Sequence, residues 1–300
     1  MHWRGVLPAI TTPFNDRLEV DHPALARHAR RMIQAGCPAV VALGSLGEAA
    51  TLSSDEKRAV LATLCREASA PVVAGISGLA THEAVALARD AEAAGCAALM
   101  VLPAYVYSGD EREMLAHAGA VLQATALPCM LYNNPVAYGA DFLPEQIATL
   151  AAAYANLEAV KESSTDARRV TAIRALCGDR LQILVGVDDC VLEGVAMGAV
   201  GWVAGVTNAL PDETVSMFQA AINGSHERAL ALYRWLLPLL RMDTVPKFVQ
   251  LIKLMQQEAG LGHERLRAPR LEIVGCEREA ALATIHAALA NRPAALAERA

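Results

Sequence analysis

The chain has 300 residues, a formal net charge of −6 and hydrophobic residues at 54% of its positions, enough apolar material for one large domain. The negative charge excludes the basic surface that a nucleic-acid-binding protein needs. The seven cysteines form no CxxC pair and no zinc-ligand spacing, so we predict free thiols in a reducing compartment. The first residues do not form a signal peptide, and the most apolar stretch, residues 191–210, contains Glu193 and four glycines. We therefore predict a cytoplasmic protein without a membrane span.

Eight short apolar runs alternate with helical patterns along the chain. Strands are predicted at residues 5–11, 39–44, 71–77, 98–103, 128–133, 157–163, 181–186 and 200–206. Helices are predicted at residues 23–35, 55–68, 83–94, 111–126, 144–153, 167–176, 191–197 and 212–223. Ser53 and Glu56 have the spacing of a capping box, and a glycine separates helix from strand at positions 36, 95 and 198.

This alternation is typical of a (β/α)₈ barrel, since none of the apolar runs alternates cleanly with polar residues, as expected for strands buried on both faces. An open doubly wound sheet is the alternative, but no GxGxxG motif opens any of the helices. Strand patterns nearly stop after residue 224, and further helices are predicted at 227–240, 245–259 and 277–289. We therefore predict a catalytic barrel at 1–224 and a C-terminal three-helix extension at 225–300.

Lys161 is the most unusual residue at the predicted strand ends. Strand alternation places it on one face with Leu157 and Ala159, toward the barrel interior. Burial lowers the pKa of an amine, and a free amine attacks a carbonyl or imine carbon to form a Schiff base. Two alternatives stay open at this point: a buried carboxylate pairs with Lys161, or the register is shifted and the side chain faces outward.

Other polar groups follow neighbouring strands. Tyr132 ends strand 5, where a phenol is able to transfer protons, although packing at the barrel mouth is the more common role of a tyrosine. Ser45, after Gly44, offers a hydroxyl and backbone N–H groups to a carboxylate, or it forms an ordinary turn. Asp188 and Asp189 are predicted to be helix caps, because no HxH motif accompanies them as a metal-binding set would require.

Together these segments resemble the dihydrodipicolinate synthase / N-acetylneuraminate lyase family of Schiff-base enzymes. The resemblance extends from PAITTPF at residues 8–14 through GSLGE, YNNP and VKESS to the final helices. It implies Lys161 as the Schiff-base lysine, Tyr132 as the proton-transfer phenol and Ser45 as a ligand of the substrate's 1-carboxylate. It also implies a homotetramer in which a tyrosine approaches the neighbouring site, with Tyr105 as the counterpart and Tyr107 as the alternative. The remaining predicted substrate-binding residues are Gly44, Leu46, Gly186 and Val203.

Two departures from the family bear on the substrate. The resembling synthases carry a hydroxyl residue where this chain has Leu46, and an arginine for a second carboxylate where it has Ala137. Dihydrodipicolinate synthesis is therefore the less favoured activity, and Leu46, Val136 and Ala137 also suit the polyhydroxylated tail of a sialic acid poorly. The motifs NNPVAYG, KESSTDARR and GVDD are most similar to Δ1-pyrroline-4-hydroxy-2-carboxylate deaminases of hydroxyproline breakdown. Sugar-acid dehydratases and 2-keto-3-deoxy acid aldolases, which share the catalytic pair, remain alternatives.

Two other classes of protein are alternatives to a Schiff-base enzyme. A metal-dependent barrel hydrolase would use Asp188, Asp189 and a histidine, but the eight histidines are scattered singly. A barrel that only binds would not need Lys161, Tyr132 and Ser45 together, although a fold alone never establishes activity. We therefore expect no metal, no cofactor and a small-molecule 2-oxo acid or cyclic imine as the substrate.

Overall fold

A computed structural model describes residues 1–105 and 109–293 of the chain. Its eight parallel strands are β1 (Gly5–Pro8), β2 (Val40–Ala42), β3 (Val72–Ile76), β4 (Ala98–Val101), β5 (Cys129–Asn133), β6 (Leu157–Glu162), β7 (Gln182–Val185) and β8 (Gly201–Ala204). They pair in the order β1-β8-β7-β6-β5-β4-β3-β2. A bridge between Ala9 and Val41 closes the sheet, with the Ile10 N–H donating to the Val41 carbonyl over 2.9 Å. The predicted (β/α)₈ barrel is confirmed.

Helices cover the outside of the barrel. The described residues contain α1 (His22–Gln34), α2 (Ser54–Glu67), α3 (Thr81–Ala93), α4 (Glu111–Gln123), α5 (Pro135–Tyr138), α6 (Pro144–Ala153), α7 (Arg168–Cys177), α8 (Val191–Ala196), α9 (Pro211–Ile222), α10 (His226–Leu240), α11 (Phe248–Glu258) and α12 (Gly275–Ala290). The sequence patterns did not predict the single turn of α5, which follows β5.

Local signals in the sequence explain where several helices begin and end. At the start of α2, the Ser53 side chain accepts from the Glu56 N–H, and the Glu56 side chain accepts from the Ser53 N–H, so the predicted capping box is confirmed. Gly36 and Gly95 follow α1 and α3 with φ of 102° and 87°. Only glycine adopts this conformation without strain, so each helix ends there and the chain enters the next buried strand.

The last three helices, α10, α11 and α12, lie in the segment that was predicted as the C-terminal extension. Helix α11 begins at Phe248, three residues after the predicted start at Val245, because a 3₁₀ turn at Arg241–Asp243 and Pro246 precede it. The residues between α10 and α11 lie over the C-terminal ends of the strands, where they line a cavity. No helix in the described part of the chain is long and apolar enough to cross a bilayer.

Candidate active site

A cavity of about 480 Å³ opens at the C-terminal ends of the barrel strands, where catalytic groups of such barrels lie. Seven of the eight residues predicted to form the site line it. They are Gly44, Ser45, Leu46, Tyr132, Lys161, Gly186 and Val203. Their side chains and backbones come from five different strand ends, so closure of the barrel is what brings them together.

Lys161 points into this cavity from β6. The sheet register pairs it with Tyr132 on β5, and its Nζ lies 3.9 Å from the centroid of the Tyr132 ring. Glu158, on the opposite face of the strand, accepts from the Trp3 indole at 2.8 Å, so the outward alternative for Lys161 is not adopted. Within the described residues, no carboxylate forms a salt bridge with its Nζ. Burial lowers the pKa of Lys161, which favours the free amine that attacks a carbonyl or imine carbon.

Gly186, after β7, leaves room for the lysine. A methyl group at this position would lie 2.6 Å from Lys161 Cε and 2.0 Å from the Ser163 hydroxyl oxygen. Contacts this short are not tolerated without movement of the lysine or the backbone. Lys161 can therefore adopt its observed position only because residue 186 has no side chain.

The Tyr132 hydroxyl is held at the cavity wall by Asn134, whose Nδ2 donates to it over 3.0 Å. Asn134 also caps α5, since its Oδ1 accepts from the Ala137 N–H at 3.0 Å. Burial raises the pKa of Tyr132 to about 12, so the phenol is protonated near neutral pH and able to donate. The Asn-Pro pair at the start of α5 was the sequence signal for this role, and sequence reasoning missed it.

Tyr138, at the end of α5, is a second residue that sequence reasoning missed. Its hydroxyl contacts the Ser45 hydroxyl, and its ring meets the Tyr132 ring edge-on with centroids 5.6 Å apart. Tyr138 thereby links the two hydroxyl residues that were predicted from different strand ends. No pattern in the sequence distinguished it from a surface tyrosine.

Tyr105 reaches the site only through Tyr138, since the two ring centroids lie 5.6 Å apart. The resemblance assigned Tyr105 to the site of a neighbouring subunit, and within one chain the ring packs on its own Tyr138. The alternative, Tyr107, lies outside the described residues.

The loop from Gly44 to Glu48 has a strained and well-anchored backbone. Leu43 and Glu48, at its two ends, adopt left-handed φ values of 57° and 54°, a conformation that costs free energy for a residue with a side chain. The Thr12 hydroxyl donates to the Gly47 carbonyl at 2.7 Å. No acceptor among the described residues takes the N–H of Ser45 or Leu46. Two free N–H groups beside a hydroxyl suit a carboxylate ligand.

Glu48 anchors the loop through a buried ion pair with Lys253 of α11. Both side chains are almost completely shielded from solvent, and the Lys253 ammonium also donates to the Arg265 carbonyl over 2.8 Å. The pair connects segments 205 residues apart in the sequence. Helical periodicity in α11 gave no indication of it.

The prediction that Asp188 and Asp189 cap a helix is wrong. Helix α8 begins after Cys190 and has no side-chain cap. The Asp188 carboxylate instead accepts from the Trp202 indole at 2.9 Å and from the Val206 N–H at 2.8 Å, and thus holds the end of β8. Burial raises the pKa of Asp188 to about 6. Among the residues described, no three histidine, cysteine, aspartate or glutamate side chains cluster as metal ligands would.

The segment after α10 contributes two ionisable side chains to the cavity, Asp243 and Arg270. The Arg270 guanidinium lies 4.0 Å from the Glu48 carboxylate. Sequence reasoning sought the site at strand ends alone and therefore missed both residues.

Comparisons with known proteins agree with this geometry. A model described as the dihydrodipicolinate synthetase family matches residues 2–288. A 4-hydroxy-tetrahydrodipicolinate synthase of Agrobacterium fabrum is 35% identical over 96% of this chain and 100% of its own length. One of Methanothrix thermoacetophila is 34% identical over 93% of this chain and 95% of its own. The crystal structure of dihydrodipicolinate synthase from Aquifex aeolicus superposes with a TM-score of 0.89 at 27% identity, covering 95% of this chain and 96% of that one.

Proposed function

The chain belongs to the dihydrodipicolinate synthetase family and is therefore a lyase that forms a Schiff base, and we propose that it deaminates Δ1-pyrroline-4-hydroxy-2-carboxylate. In this proposal Lys161 is the Schiff-base amine, Tyr132 transfers protons and the loop at Ser45 binds the carboxylate. The observation that carries the proposal is the combination of one carboxylate cradle with Leu46 on the cavity wall and Ala137 beside it. A small substrate with one carboxylate suits such a cavity.

The first step opens the ring of the substrate. The free Lys161 amine attacks C2 of the cyclic imine, and a proton passes from Nζ to the ring nitrogen, with the Tyr132 phenol as carrier. The bond between C2 and the ring nitrogen then breaks. C2 is now joined to Lys161 as an imine, and the former ring nitrogen is a primary amine on C5.

The protonated imine is an electron sink for the next steps. Loss of a proton from C3 gives an enamine, whose electron pair expels the C4 hydroxyl; this group takes a proton and leaves as water. Proton shifts from C5 and its nitrogen to C3 and C4 turn the C5 amine into an imine. Two water molecules then hydrolyse the two imines, which releases ammonia and 2,5-dioxopentanoate and restores Lys161.

A second candidate function is 4-hydroxy-tetrahydrodipicolinate synthesis. The names of the relatives favour it, and so does Arg270, because a guanidinium on the cavity wall is able to bind a second carboxylate. Against it stand Leu46, which has no hydroxyl, and the 4.0 Å approach of Arg270 to Glu48, which already provides that cation with a negative partner.

Two assays on the purified enzyme separate these candidates. Ammonia and 2,5-dioxopentanoate are measured with Δ1-pyrroline-4-hydroxy-2-carboxylate, and 4-hydroxy-tetrahydrodipicolinate is measured with pyruvate and aspartate 4-semialdehyde. We expect turnover in the first assay, and turnover in the second alone would replace the proposal. Borohydride added with either substrate should leave a covalent adduct on Lys161, and Lys161→Ala is the control.

The proposal includes a homotetramer, in which the segment around Tyr105 contacts a neighbouring subunit. Its support is the resemblance of the PAYVY segment, residues 103–107, to that of tetrameric members. Analytical ultracentrifugation tests it directly, and a monomer of full activity would contradict it.

A further inference from the structure

Asp243 lines the cavity with a carboxyl group that has no role in the deamination steps proposed above. It ends the 3₁₀ turn at Arg241–Asp243, which lies over the end of β8. Its Oδ1 is shielded from solvent and has no hydrogen-bond partner within the described residues. A buried polar atom without a partner is costly, so it calls for an explanation.

The backbone at Gly205 is shaped to admit this carboxyl. A methyl group at position 205 would lie 2.2 Å from Asp243 Oδ1, so the carboxyl occupies the space that any side chain there would fill. Gly205, Asp243 and Lys161 line the same cavity. The absence of a side chain at Gly205 therefore allows the Asp243 carboxyl to pack against the backbone at the cavity wall.

Neighbouring Asp188 shows what a purely structural carboxylate looks like at this place. Its two oxygens accept from the Trp202 indole and from the N–H groups of Gly205 and Val206, at 2.8 to 3.2 Å. Asp188 is thus committed to the barrel wall. Asp243, next to it, accepts no hydrogen bond from the described residues, and because its Oδ1 is shielded against Gly205, its Oδ2 is the oxygen left for a ligand in the cavity.

The charges around Asp243 favour its protonated form. Burial raises the pKa of Asp243 well above its usual range, and the nearby negative charge of Asp188 adds to this, while Lys161 opposes it. Burial likewise lowers the pKa of Lys161. These two directions favour the carboxylic acid form of Asp243 and the free amine form of Lys161, and such an acid is able to donate a hydrogen bond or a proton to a substrate.

We propose that Asp243 binds the hydroxyl group of a hydroxylated 2-oxo acid held on Lys161, and that it protonates this hydroxyl as it leaves. The inference rests on the proposed Schiff base and deepens it, because it names the group that recognises the C4 hydroxyl. In the elimination step the C4–O bond breaks, the Asp243 proton passes to the oxygen, and water departs. The enamine supplies the electron pair of the new C3–C4 double bond, and the proton lost from C3 balances the one consumed.

Borohydride trapping with matched acids tests this assignment. The probes are 4-hydroxy-2-oxopentanoate and 2-oxopentanoate, which differ by one hydroxyl, and the adduct on Lys161 is measured by mass spectrometry. For Asp243→Ala we expect the half-saturating concentration of the hydroxylated acid to rise about tenfold, with that of 2-oxopentanoate nearly unchanged. Equal shifts for both acids, or no shift for either, would overturn the proposal.

A second variant separates binding from proton donation. Asp243→Asn keeps a hydrogen-bonding side chain of the same shape, so the hydroxylated acid should still bind, but its adduct should retain the water that the wild-type adduct loses. An Asn variant that eliminates water at the wild-type rate would overturn the role as proton donor. Asp189→Asn is the control, since Asp189 faces Arg241 at 3.8 Å. Ammonia release from the pyrroline substrate tests the proposed function separately, because the adduct masses of the two acids do not depend on it.

Discussion

Two buried lysines, Lys161 and Lys253, lie in different surroundings, and the difference bears on the role proposed for Lys161. Their exposed fractions are 6% and 1%, so burial does not distinguish them. Lys253 contacts the Glu48 carboxylate and a backbone carbonyl. Lys161 has a tyrosine ring beside it and an open cavity in front of it. The two lysines therefore differ in that Lys253 forms an ion pair with a carboxylate, whereas within the described residues Lys161 forms none.

The partner also determines the protonation of each amine. Burial lowers the pKa of both lysines, and for Lys253 the Glu48 carboxylate opposes that shift. An ion pair that is removed from water is stable only as a pair, because either charge alone bears the full cost of desolvation. Lys253 and Glu48 thus stabilise each other's charges, whereas Lys161 can gain or lose a proton without breaking an ion pair.

Lys161→Ala should have the largest effect on activity. Without the amine no Schiff base forms, and we expect turnover to fall by roughly four orders of magnitude or more, as for other covalent catalysts. The measurement is the rate of product formation together with borohydride trapping. Folding should be preserved, since Lys161 has no ion pair to lose; a variant that retained full activity would rule out the proposed role.

Lys253→Met should leave the chemistry intact and reduce stability instead. The Glu48 carboxylate would lose its buried ammonium partner and keep only the Arg267 N–H at 3.2 Å and the Arg270 guanidinium at 4.0 Å, so we expect a loss of about 3 kcal/mol of unfolding free energy, the low end for a broken buried ion pair. Urea denaturation measures the loss, and trapping on Lys161 in the folded protein should persist. The double variant Lys253→Met with Glu48→Leu is the matched control, because an apolar pair of similar volume should recover most of the stability. No recovery would mean that the pair does more than neutralise charge.

Tyr138→Phe tests the surroundings of Lys161. The ring packing against Tyr132 would be kept, and only the hydroxyl contact with Ser45 would be lost. We expect kcat to fall about tenfold, the effect of one hydrogen bond. Tyr154→Phe, which removes a surface hydroxyl that accepts from Gln123, should not change kcat. Equal kcat values for the two variants would exclude Tyr138 from the reaction.

The pH dependence of stability tests the protonation of Lys161 in the folded chain. Because the pKa of Lys161 is lowered, the folded chain releases the proton of the Lys161 ammonium at a lower pH than the unfolded chain does. In the unfolded chain a lysine has a pKa of about 10.4. Between these two pKa values the unfolded state binds more protons, so this contribution to stability increases with pH, by at most about 1.4 kcal/mol per pH unit. Asp243, whose raised pKa gives a contribution that falls with pH, acts in the same direction on the comparison, because removal of Lys161 raises the pKa of Asp243 further and makes the stability of the variant fall over a wider pH range.

The measurement compares urea midpoints of wild type and Lys161→Met between about pH 6 and pH 10. The difference, wild type minus variant, should increase with pH. A flat difference would show that the folded pKa of Lys161 is ordinary.

The sequence alone predicted the eight strands and the helices around them, except the single turn of α5, and strand alternation favoured an inward Lys161 while the outward alternative stayed open. These features depend on periodicity and on local turn chemistry, which a short segment carries by itself. Tyr132 and Ser45 could also be predicted as site residues from the sequence, because a (β/α)₈ barrel has the C-terminal ends of all its strands at one face. The family resemblance then gave these residues their proposed roles.

Only the tertiary structure decided which polar groups from distant segments meet. Glu48 pairs with Lys253 across the whole chain, Tyr138 joins Ser45, and Asp243 reaches the cavity from the helical extension. Asp188, predicted as a helix cap, binds the end of β8 instead. Periodicity reports the side of an element on which a residue lies, whereas partners depend on how the closed barrel and its extension pack, and that information is spread over the entire fold.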